Sequence, residues 1–525
     1  MKKRGLIFGA LIFVSLLMGM GTLHAEITQT AVVATAAADY TSGAHSVISV
    51  DPAGGPRSAQ NKLLPTGSDV TIAAYGNYFY RIGRYQMDHI IKFDVNAPDT
   101  PIWQFSTLEG PDDTSANPHG MVFVSDEKAY LFMFGKAKAW IVNPSATDEA
   151  NFKTGELNLS SYGDQDGIPE MESAVIVKGK MYVIMKRLDR DNSWEPNTPY
   201  VAVIDVATDA EIDTGIANDD GVKGIPLPVK NPNGIHYLAE NNTIYVEGVG
   251  RYPSSWSGTP AEYSGGVVTL NPDTYATQLL LDDDTNGDGT PLYGGNISGL
   301  ALVSPTKAYL TIYADAGDNS LRSFNPSTGV VGGVVAGLEN KSISGMTSGA
   351  YVDKDGMLWV CNQTDARMDI INTADDTLDE SISTGLNPLK VVFCEVFSPG
   401  YIVDLLWLRA VIKTEEKGEI EGLWKEGGSD TTEAGDRVVY GHIYADPKDV
   451  TWGSPSNPDV FVKIWFDHSG RIDVNFFHVS VPEVTVYSNI IYSSSTDSLL
   501  KSTLTTESRY IRHGYGGGKS YSESR

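Results

Sequence analysis

The sequence predicts an all-β protein whose main part is a seven-bladed β-propeller, and two observations lead to this fold class. A unit of apolar strand, turn, aromatic-centred strand and third strand ending in Asp or Asn occurs six times between Tyr78 and Trp359. Fragments on either side of these units supply the strands of one more blade. The repeats start about 50 to 65 residues apart, a period that fits four-stranded blades with loops of variable length.

Each repeat is marked by its second strand, which is centred on an aromatic residue. The third strands end in a polar residue that begins a turn, as at Asn325-Pro326-Ser327-Thr328, and Asn and Pro are typical turn residues. The inner strands are expected to begin at Val70, Met121, Ser173, Ile235, Ser298 and Ser344. The aromatic strands are Tyr78-Phe79-Tyr80, Ala129-Tyr130-Leu131, Met181-Tyr182-Val183, Ile244-Tyr245-Val246, Ala308-Tyr309-Leu310 and Leu358-Trp359-Val360.

The seventh blade is predicted from both ends of the repeat region. Residues 387–393 have the pattern of an inner strand that no aromatic strand follows, whereas residues 30–36 and 46–52 have the pattern of later strands. Joining the two ends in a composite N/C-terminal blade removes the open sheet edges that invite aggregation. Six blades with a loose N-terminal arm is the alternative.

A second module begins at about Ser398, where the repeat stops. Apolar alternation, as in Phe461-Val462-Lys463-Ile464-Trp465, predicts a small β-rich, sandwich-like domain over residues 398–492. A helix over residues 405–417 is an alternative for its first part. Residues 493–525 are rich in Ser, Thr, Tyr and Gly, and we expect them to be disordered.

The first residues have the layout of an export signal. Lys2-Lys3-Arg4 precedes an apolar run to about Met20, and a small residue, Ala25, stands at the expected cleavage site. A transmembrane anchor is the alternative, but the run is shorter than the ~20 residues that a span needs. We therefore expect a cleaved signal peptide, 1–25, a propeller at 26–397, and a mature chain without a transmembrane anchor in the periplasm, outside the cell or at its surface.

The composition excludes some partners and cofactors. A formal net charge of -27 disfavours nucleic acid and anionic lipid as partners. Neither haem nor a nucleotide cofactor is expected, because the sequence has no C-x-x-C-H motif and no phosphate-binding glycine loop. The two cysteines, Cys361 and Cys394, fall on strands of adjacent blades, so they form either a disulfide or two buried thiols.

One face of the propeller gathers the candidate ligand-binding residues. The loops before the inner strand and after the aromatic strand open on this face, and they carry cations, His and Trp. Arginine suits carboxylate, sulfate or phosphate ligands, and the Trp rings suit a sugar or a protein partner; ordinary pairing with nearby acids is the alternative. The predicted ligand-binding residues are Arg81, Arg84, His119, Arg187, Trp194, His236, Arg251 and Trp256.

Two metal sites are predicted. Asp284, Asn286 and Asp288 have the D-x-N-x-D-G spacing that begins a calcium loop, although Gly295 replaces the acid expected at the twelfth position. A short calcium loop and a plain acidic turn are the two interpretations. Glu172, Asn231 and Asn296, with His119, form a second candidate site for a divalent ion at the mouth of the central channel.

The repeat resembles the YVTN-type β-propeller repeats of exported bacterial and archaeal surface proteins. Tyr-Val occurs at Tyr182-Val183 and Tyr245-Val246, although no repeat carries the full tetrapeptide. The resemblance covers about residues 26–397 and implies an exported propeller, often a surface or binding module.

The function predicted is therefore an exported binding or surface-assembly protein. One propeller face would bind either a small polar or anionic ligand or an envelope or surface protein. No catalytic residue is predicted, because G-x-S-x-G and H-E-x-x-H motifs are absent. The alternative is a metal-dependent hydrolase of the propeller lactonase type, with a divalent ion at the channel mouth.

Overall fold

The computed structural model describes residues 27–397, apart from 53, 255–257, 285–286, 316 and 348–350, together with the backbone of strands between 409 and 509. The chain divides into two compact units, and Ile27–Phe397 belongs to the larger one. The signal peptide predicted at 1–25 lies outside the described residues.

The larger unit is a β-propeller with seven blades in its described residues, which confirms the predicted fold class. Six blades follow one another along the chain. The chain begins with β1 Ile27–Ala36, β2 Gly43–Ser49 and β3 Ala59–Thr66. Blade 1 consists of β4 Val70–Tyr75, β5 Tyr78–Gly83, β6 His89–Asp94 and β7 Pro101–Ser106. Blade 2 consists of β8 Pro118–Phe123, β9 Ala129–Met133, β10 Lys138–Val142 and β11 Lys153–Asn158.

Blades 3 to 6 continue the same antiparallel order, and the last strand of the propeller is β30. Blade 3 has β12 Met171–Val177, β13 Lys180–Met185, β16 Tyr200–Asp205, β17 Ala210–Glu211 and β18 Ile225–Pro226, with a side hairpin of β14 Leu188–Asp189 and β15 Glu195–Pro196. Blade 4 has β19 Pro232–Leu238, β20 Thr243–Gly248, β21 Gly266–Leu270 and β22 Thr277–Asp282, and blade 5 has β23 Asn296–Ser304, β24 Lys307–Asp315, β25 Asp318–Asn325 and β26 Val330–Val334. Blade 6 has β27 Leu358–Asn362, β28 Arg367–Asn372 and β29 Thr377–Ser383, and β30 is Asn387–Phe397.

The described part of the propeller also contains four short 3-10 helices. They are Glu149–Asn151, Ser160–Tyr162, Arg190–Asn192 and Ala239–Asn241. No helix among the described residues has the length and apolar character needed to cross a membrane.

Blade 7 closes the ring with strands from both ends of the propeller, as the sequence predicts. Its strand order is β3, β2, β1, β30, so β30 is the inner strand and β1 lies beside it. The two are antiparallel, with Thr30 opposite Cys394 and Val32 opposite Val392. The alternative of six blades with a loose arm is therefore wrong. Both cysteines are buried free thiols.

The inner strands of blades 2 to 5 begin two or three residues earlier than the sequence predicts. Each has a β-bulge at its start, which leaves one residue without a partner on the second strand. The skipped residues are His119, Glu172, Asn233 and Ser298. Because a bulge changes the direction of one side chain, these four residues occupy equivalent positions at the start of the channel-lining strands.

The repeated aromatic residue is buried between neighbouring blades. Tyr130, Tyr182, Tyr245, Tyr309 and Trp359 are all at most 2% exposed. Burying such a ring contributes roughly 1.5–3 kcal/mol of hydrophobic stabilisation. Since successive blades pack face to face through these rings, the strongest sequence signal of the repeat is also the main packing element of the ring.

Two of these rings also bond to the next blade through a shared sequence, Lys-Ala-Tyr-Leu. In blade 2, Tyr130 donates a hydrogen bond to Asp209 of blade 3, and Lys128 lies 2.8 Å from the same carboxylate. In blade 5, Tyr309 and Lys307 contact Asp376 of blade 6 in the same way. Each carboxylate sits in the turn before an outer strand, so the contact ties the second strand of one blade to the edge of the next.

The smaller unit contains one antiparallel sheet in its described residues. Its strands are β31 Arg409–Thr414, β32 Gly418–Thr431, β33 Arg437–Tyr444, β34 Val460–Phe466, β35 Arg471–Ser480, β36 Glu483–Ser493, β37 Ser498–Thr503 and β38 Glu507–Arg509. The sandwich-like arrangement stays a prediction. Two of the strands, β37 and β38, fall within the tail for which the sequence predicts disorder, and the rest of that tail lies outside the described residues.

Candidate functional site

The bulge residues of blades 2 to 4 and one lysine form a polar belt at the start of the channel. This channel belt consists of His119, Glu172, Lys186 and Asn233. His119 Nδ1 lies 3.0 Å from Glu172 Oε2, and Lys186 Nζ lies 3.2 Å from the same oxygen. Lys186 Nζ also donates to Asn233 Oδ1 at 2.9 Å. The belt therefore runs from one inner strand to the next across three blades.

The electrostatics of the channel belt depend on the burial of Glu172. Burial alone would raise the pKa of this carboxyl group, but the charge of Lys186 and the contact with His119 outweigh it and hold the pKa well below its usual range. Burial lowers the pKa of His119 despite Glu172. At neutral pH the imidazole is consequently neutral, and its Nδ1–H donates to an ionised Glu172.

A cavity of about 550 Å³ lies along the inner strands and is the central channel. Its lining is mostly apolar and includes Ile72, Val175 and Phe393, with Lys390 of blade 7 and His236 of blade 4 as ionisable exceptions. The size is within the range of about 300–1,000 Å³ that is typical of small-molecule sites. The channel is thus a mainly apolar chamber with very few charges.

Lys390 is the unusual residue of this chamber. Its side chain lines the cavity, and among the described residues it has no hydrogen-bond or ion-pair partner. Burial lowers the pKa of Lys390 to about 8, while the negative charge of Glu172 opposes this shift. The amine is therefore mostly protonated at neutral pH, without a bound counter-ion of its own.

A second acid–base pair lies in blade 4. His236 Nε2 is 3.2 Å from Glu247 Oε2, and Glu247 is 0% exposed. Burial raises the pKa of Glu247. The backbone of β19 packs directly against this carboxylate, because a Cβ at Gly234 would lie 2.0 Å from Glu247 Oε1.

The predicted arginines all have partners in the described structure. Arg81 is buried inside blade 1, so its guanidinium does not reach the open face. The pairs are Arg81 with the Leu64 carbonyl, Arg84 with Asp69, Arg187 with Asp220 and Arg251 with Glu195. The contacts of Arg84, Arg187 and Arg251 agree with the alternative in which the arginines pair with nearby acids, whereas Arg81 bonds to a carbonyl. Lys186 and Lys390 are the lysines at the channel, and the charge of Arg84 also acts on Glu172 and Lys390.

The predicted aromatic residues are only partly described. The ring of Trp194 is 49% exposed and lies 6.5 Å from Phe134, with Arg190 over it at 5.4 Å. Trp256 lies outside the described residues. Trp194 thus stands on the surface near the channel belt, where a stacking role stays a prediction.

The second predicted metal site combines two different positions of the repeat. Glu172 is a bulge residue, whereas Asn231 and Asn296 stand two residues before the bulge position of their blades. Asn231 Nδ2 donates to the Gly250 carbonyl at 2.8 Å, and Asn296 Nδ2 donates to the Val249 carbonyl at 2.9 Å. The two amides therefore support loops through their Nδ2 atoms, while their Oδ1 atoms are buried and unpaired in the described structure, so this metal site stays a prediction.

The predicted calcium loop folds partly onto itself. The Asp284 side chain accepts from the Asp288 and Gly289 backbone N–H groups at 3.3 and 2.8 Å, and Asp288 accepts from Thr290 N–H at 2.9 Å. Asn286 lies outside the described residues. In the part of the chain that the structure describes, no three His, Cys, Asp or Glu side chains form a metal-binding group.

Lys390 is not among the residues singled out from the sequence, although one signal was present. The last inner strand reads Leu389-Lys390-Val391-Val392-Phe393, so a single lysine interrupts an apolar run. The ammonium group of Lys390 is unpaired because the described strands of blade 7 place no acid within hydrogen-bonding distance of it.

Comparisons with known proteins assign no family to the chain. No protein-family model matches the sequence, and no curated protein matches it. Similar solved structures include a protein from Lactobacillus plantarum (13% identity, 70% of this chain and 100% of the other, TM-score 0.47), apo AztD from Citrobacter koseri (12%, 70% and 98%, 0.40) and a streptogramin B lyase (12%, 70% and 94%, 0.36). With TM-scores below 0.5, these similarities carry no conclusion about this chain.

Proposed function

We propose that this β-propeller binds a small organic anion in its central channel, with Lys390 as the counter-ion. The observation that carries the proposal is the unpaired Lys390 side chain in the wall of a mainly apolar cavity of about 550 Å³. Lys390 is half-buried, and a charge taken partly out of water without a partner destabilises the fold. A carboxylate with an apolar body offsets that cost through its charge and fills the apolar remainder of the chamber.

The balance of charge around the channel favours an anion. Lys186 and Glu172 offset each other, and Arg84 is paired with Asp69. The raised pKa of Glu247 favours its protonated form, which reduces the negative charge that blade 4 contributes. The charge of Lys390 then remains, in a chain whose overall charge is -27.

The hydrolase alternative has less support. Its divalent ion needs oxygen or nitrogen ligands that converge on one point. Glu172 already pairs with His119 and Lys186, and Asn231 and Asn296 use their Nδ2 atoms to hold loop carbonyls, which leaves only their Oδ1 atoms as candidate ligands. We therefore favour a binding protein over a metal-dependent hydrolase.

Location and partner are proposed from the sequence. The export layout of residues 1–25 supports a mature chain in the periplasm, outside the cell or at its surface. The resemblance to YVTN-type repeats supports an envelope or surface protein as a further partner. Fractionation of cells that express the full chain, with detection of the mature N-terminus at Glu26, tests the first point.

Calorimetry of the mature chain tests the channel proposal. We expect benzoate to bind and benzyl alcohol, which has the same ring without the charge, to bind at least tenfold more weakly. Lys390→Met should abolish benzoate binding, whereas Lys178→Met, at an exposed lysine paired with Asp273, should not. Equal binding of both probes, or binding that survives Lys390→Met, would overturn the proposal.

A further inference from the structure

A buried carboxylate without any hydrogen-bond donor lies beside two loops of blade 4. Asp283, which directly follows β22, is 0% exposed, and neither of its oxygens has a hydrogen-bond partner among the described residues. Most buried polar groups are bonded, and an ionised carboxylate left bare is costly. Either a proton or a bound cation must therefore compensate the charge of Asp283.

The loops against Asp283 are residues 248–251 and 262–265, here called the blade-4 loop pair. A Cβ at Gly265 would lie 2.7 Å from Asp283 Oδ2 and 2.4 Å from the Gly248 carbonyl oxygen. Only a residue without a side chain fits there. The Asp283 carboxylate is accordingly packed directly against the loop pair.

Three further oxygen atoms on and around the loop pair are buried and unpaired in the described structure. They are Glu262 Oε2, Ser264 Oγ and Asn296 Oδ1. The position of Asn296 is fixed, because its Nδ2 donates to the Val249 and Glu262 carbonyls at 2.9 and 3.0 Å. Its oxygen is thus held beside the same loops, across the boundary between blades 4 and 5.

We propose that Asp283 and Glu262 hold a calcium ion, with Asn296 and Ser264 as additional oxygen ligands. The set contains carboxylate, amide and hydroxyl oxygens without His or Cys, which is the chemistry that Ca²⁺ prefers, with six to eight oxygens at about 2.3–2.6 Å. Such an ion would satisfy the unpaired oxygens and link blade 4 to blade 5. This site differs from the predicted Asp284, Asn286 and Asp288 loop, and it does not depend on the proposed channel ligand.

Thermal unfolding and calorimetry with calcium alone test this site. After treatment with EDTA, we expect added CaCl₂ to raise the Tm of the mature chain by about 5 °C and to bind with a stoichiometry that Asp283→Asn reduces by one. MgCl₂ at the same concentration should give a much smaller shift. Because Asp283→Asn removes a bare charge, this variant should remain folded in EDTA, with a Tm at or above that of the wild type.

Two control variants separate the site from its neighbours. Asp284→Asn changes the predicted loop and Asp219→Asn changes an exposed acid of blade 3; both should keep the calcium response of the wild type. The absence of calcium binding by the wild type, or an unchanged response in Asp283→Asn, would overturn the proposal and leave protonation as the state of Asp283. Loss of the response in Asp284→Asn alone would assign calcium to the loop instead.

Discussion

Glu172 Oε2 lies 3.0 Å from Nδ1 of His119, and the two residues occupy the same position in consecutive blades. Each is the residue that the β-bulge at the start of an inner strand leaves unpaired. The fold therefore brings repeat-equivalent side chains into contact at the channel, although the residues in this position differ. One bulge carries a histidine and the next carries a glutamate, so the side chains of the channel belt differ while blades 2 to 5 share the bulged backbone.

Replacing Glu172 by Gln should destabilise the propeller by about 2 kcal/mol, since a partly buried ion pair loses one partner. The positive charge of Lys186 would then lack its carboxylate, which lies 3.2 Å away in the wild type. Urea unfolding of the two proteins measures the difference. Glu156→Gln is the matched control: its carboxylate is 37% exposed and pairs with Lys138, and such a surface pair contributes about 0–1 kcal/mol. Equal effects of the two substitutions would contradict this role of Glu172.

Benzoate binding should weaken as the pH rises through about 8, the pKa to which burial lowers Lys390. Above that pH the amine loses its proton and with it the charge that attracts the anion, so affinity falls by up to tenfold per pH unit. Calorimetry between pH 6.5 and 9.5 gives the profile. Glu172→Gln should move its midpoint to lower pH, because the Glu172 charge raises the pKa of Lys390. A flat profile would exclude Lys390 as the counter-ion.

The same shift makes a prediction for stability, with a definite sign. The pKa of Lys390 is lower in the folded chain than its usual value of 10.5, so between about pH 8 and 10.5 the unfolded chain binds more protons at this residue. The contribution of Lys390 to stability therefore rises with pH across this window and is unfavourable below it. The stability difference between Lys390→Met and the wild type should shrink from pH 7 to pH 10 in urea unfolding. A difference that grows over this range would contradict the assignment.

The fold was predictable because its signals are local and repeated. Aromatic strands, Asn-Pro turns and complementary fragments at both ends are each visible within a few residues, and together they predict seven blades with a composite closure. The start of the inner strands was not predictable, because the bulges at His119 and Glu172 depend on pairing with the next strand. A sequence carries no local sign of that register.

The candidate site was harder to predict because it depends on contacts between blades. Arg251 of blade 4 pairs with Glu195 of blade 3, and Arg187 pairs with Asp220 across a long loop. Spacing along the chain does not reveal such partners. Lys390 shows the converse case: a charged residue in an apolar strand is a visible signal, but its lack of a partner appears only when the whole ring is assembled.

The contact between Tyr130 and Asp209 should contribute about 1 kcal/mol, as a buried hydroxyl bonded to a carboxylate does. A double-mutant cycle with Tyr130→Phe and Asp209→Asn measures it, and we expect a coupling energy above about 0.5 kcal/mol. Tyr309 and Asp376 should give a similar value, because blades 5 and 6 repeat the arrangement. Tyr85→Phe, at a side chain that is 56% exposed, should be neutral. Additive effects at both pairs would show that the hydroxyl groups do not join the blades.

The closure of the ring predicts the largest effect of a single substitution. Val32 is 0% exposed, and it lies in β1 between Val47 of β2 and Val392 of β30. Val32→Asp places a charge in this apolar layer, which should cost more than about 3 kcal/mol and separate β1 from β30. The freed inner strand would then expose an unpaired edge, and such edges promote association between chains.

Thermal unfolding together with size-exclusion chromatography checks both consequences. Val32→Asp should lower the Tm and produce oligomers, whereas Leu378→Asp, on an outer strand of blade 6 where the side chain is 48% exposed, should do neither. The milder Val32→Ala should lower stability by about 1–3 kcal/mol while the protein stays monomeric, because the β1–β30 hydrogen bonds remain. If Val32→Asp unfolded at the wild-type temperature as a monomer, blade 7 would not depend on the N-terminal strand.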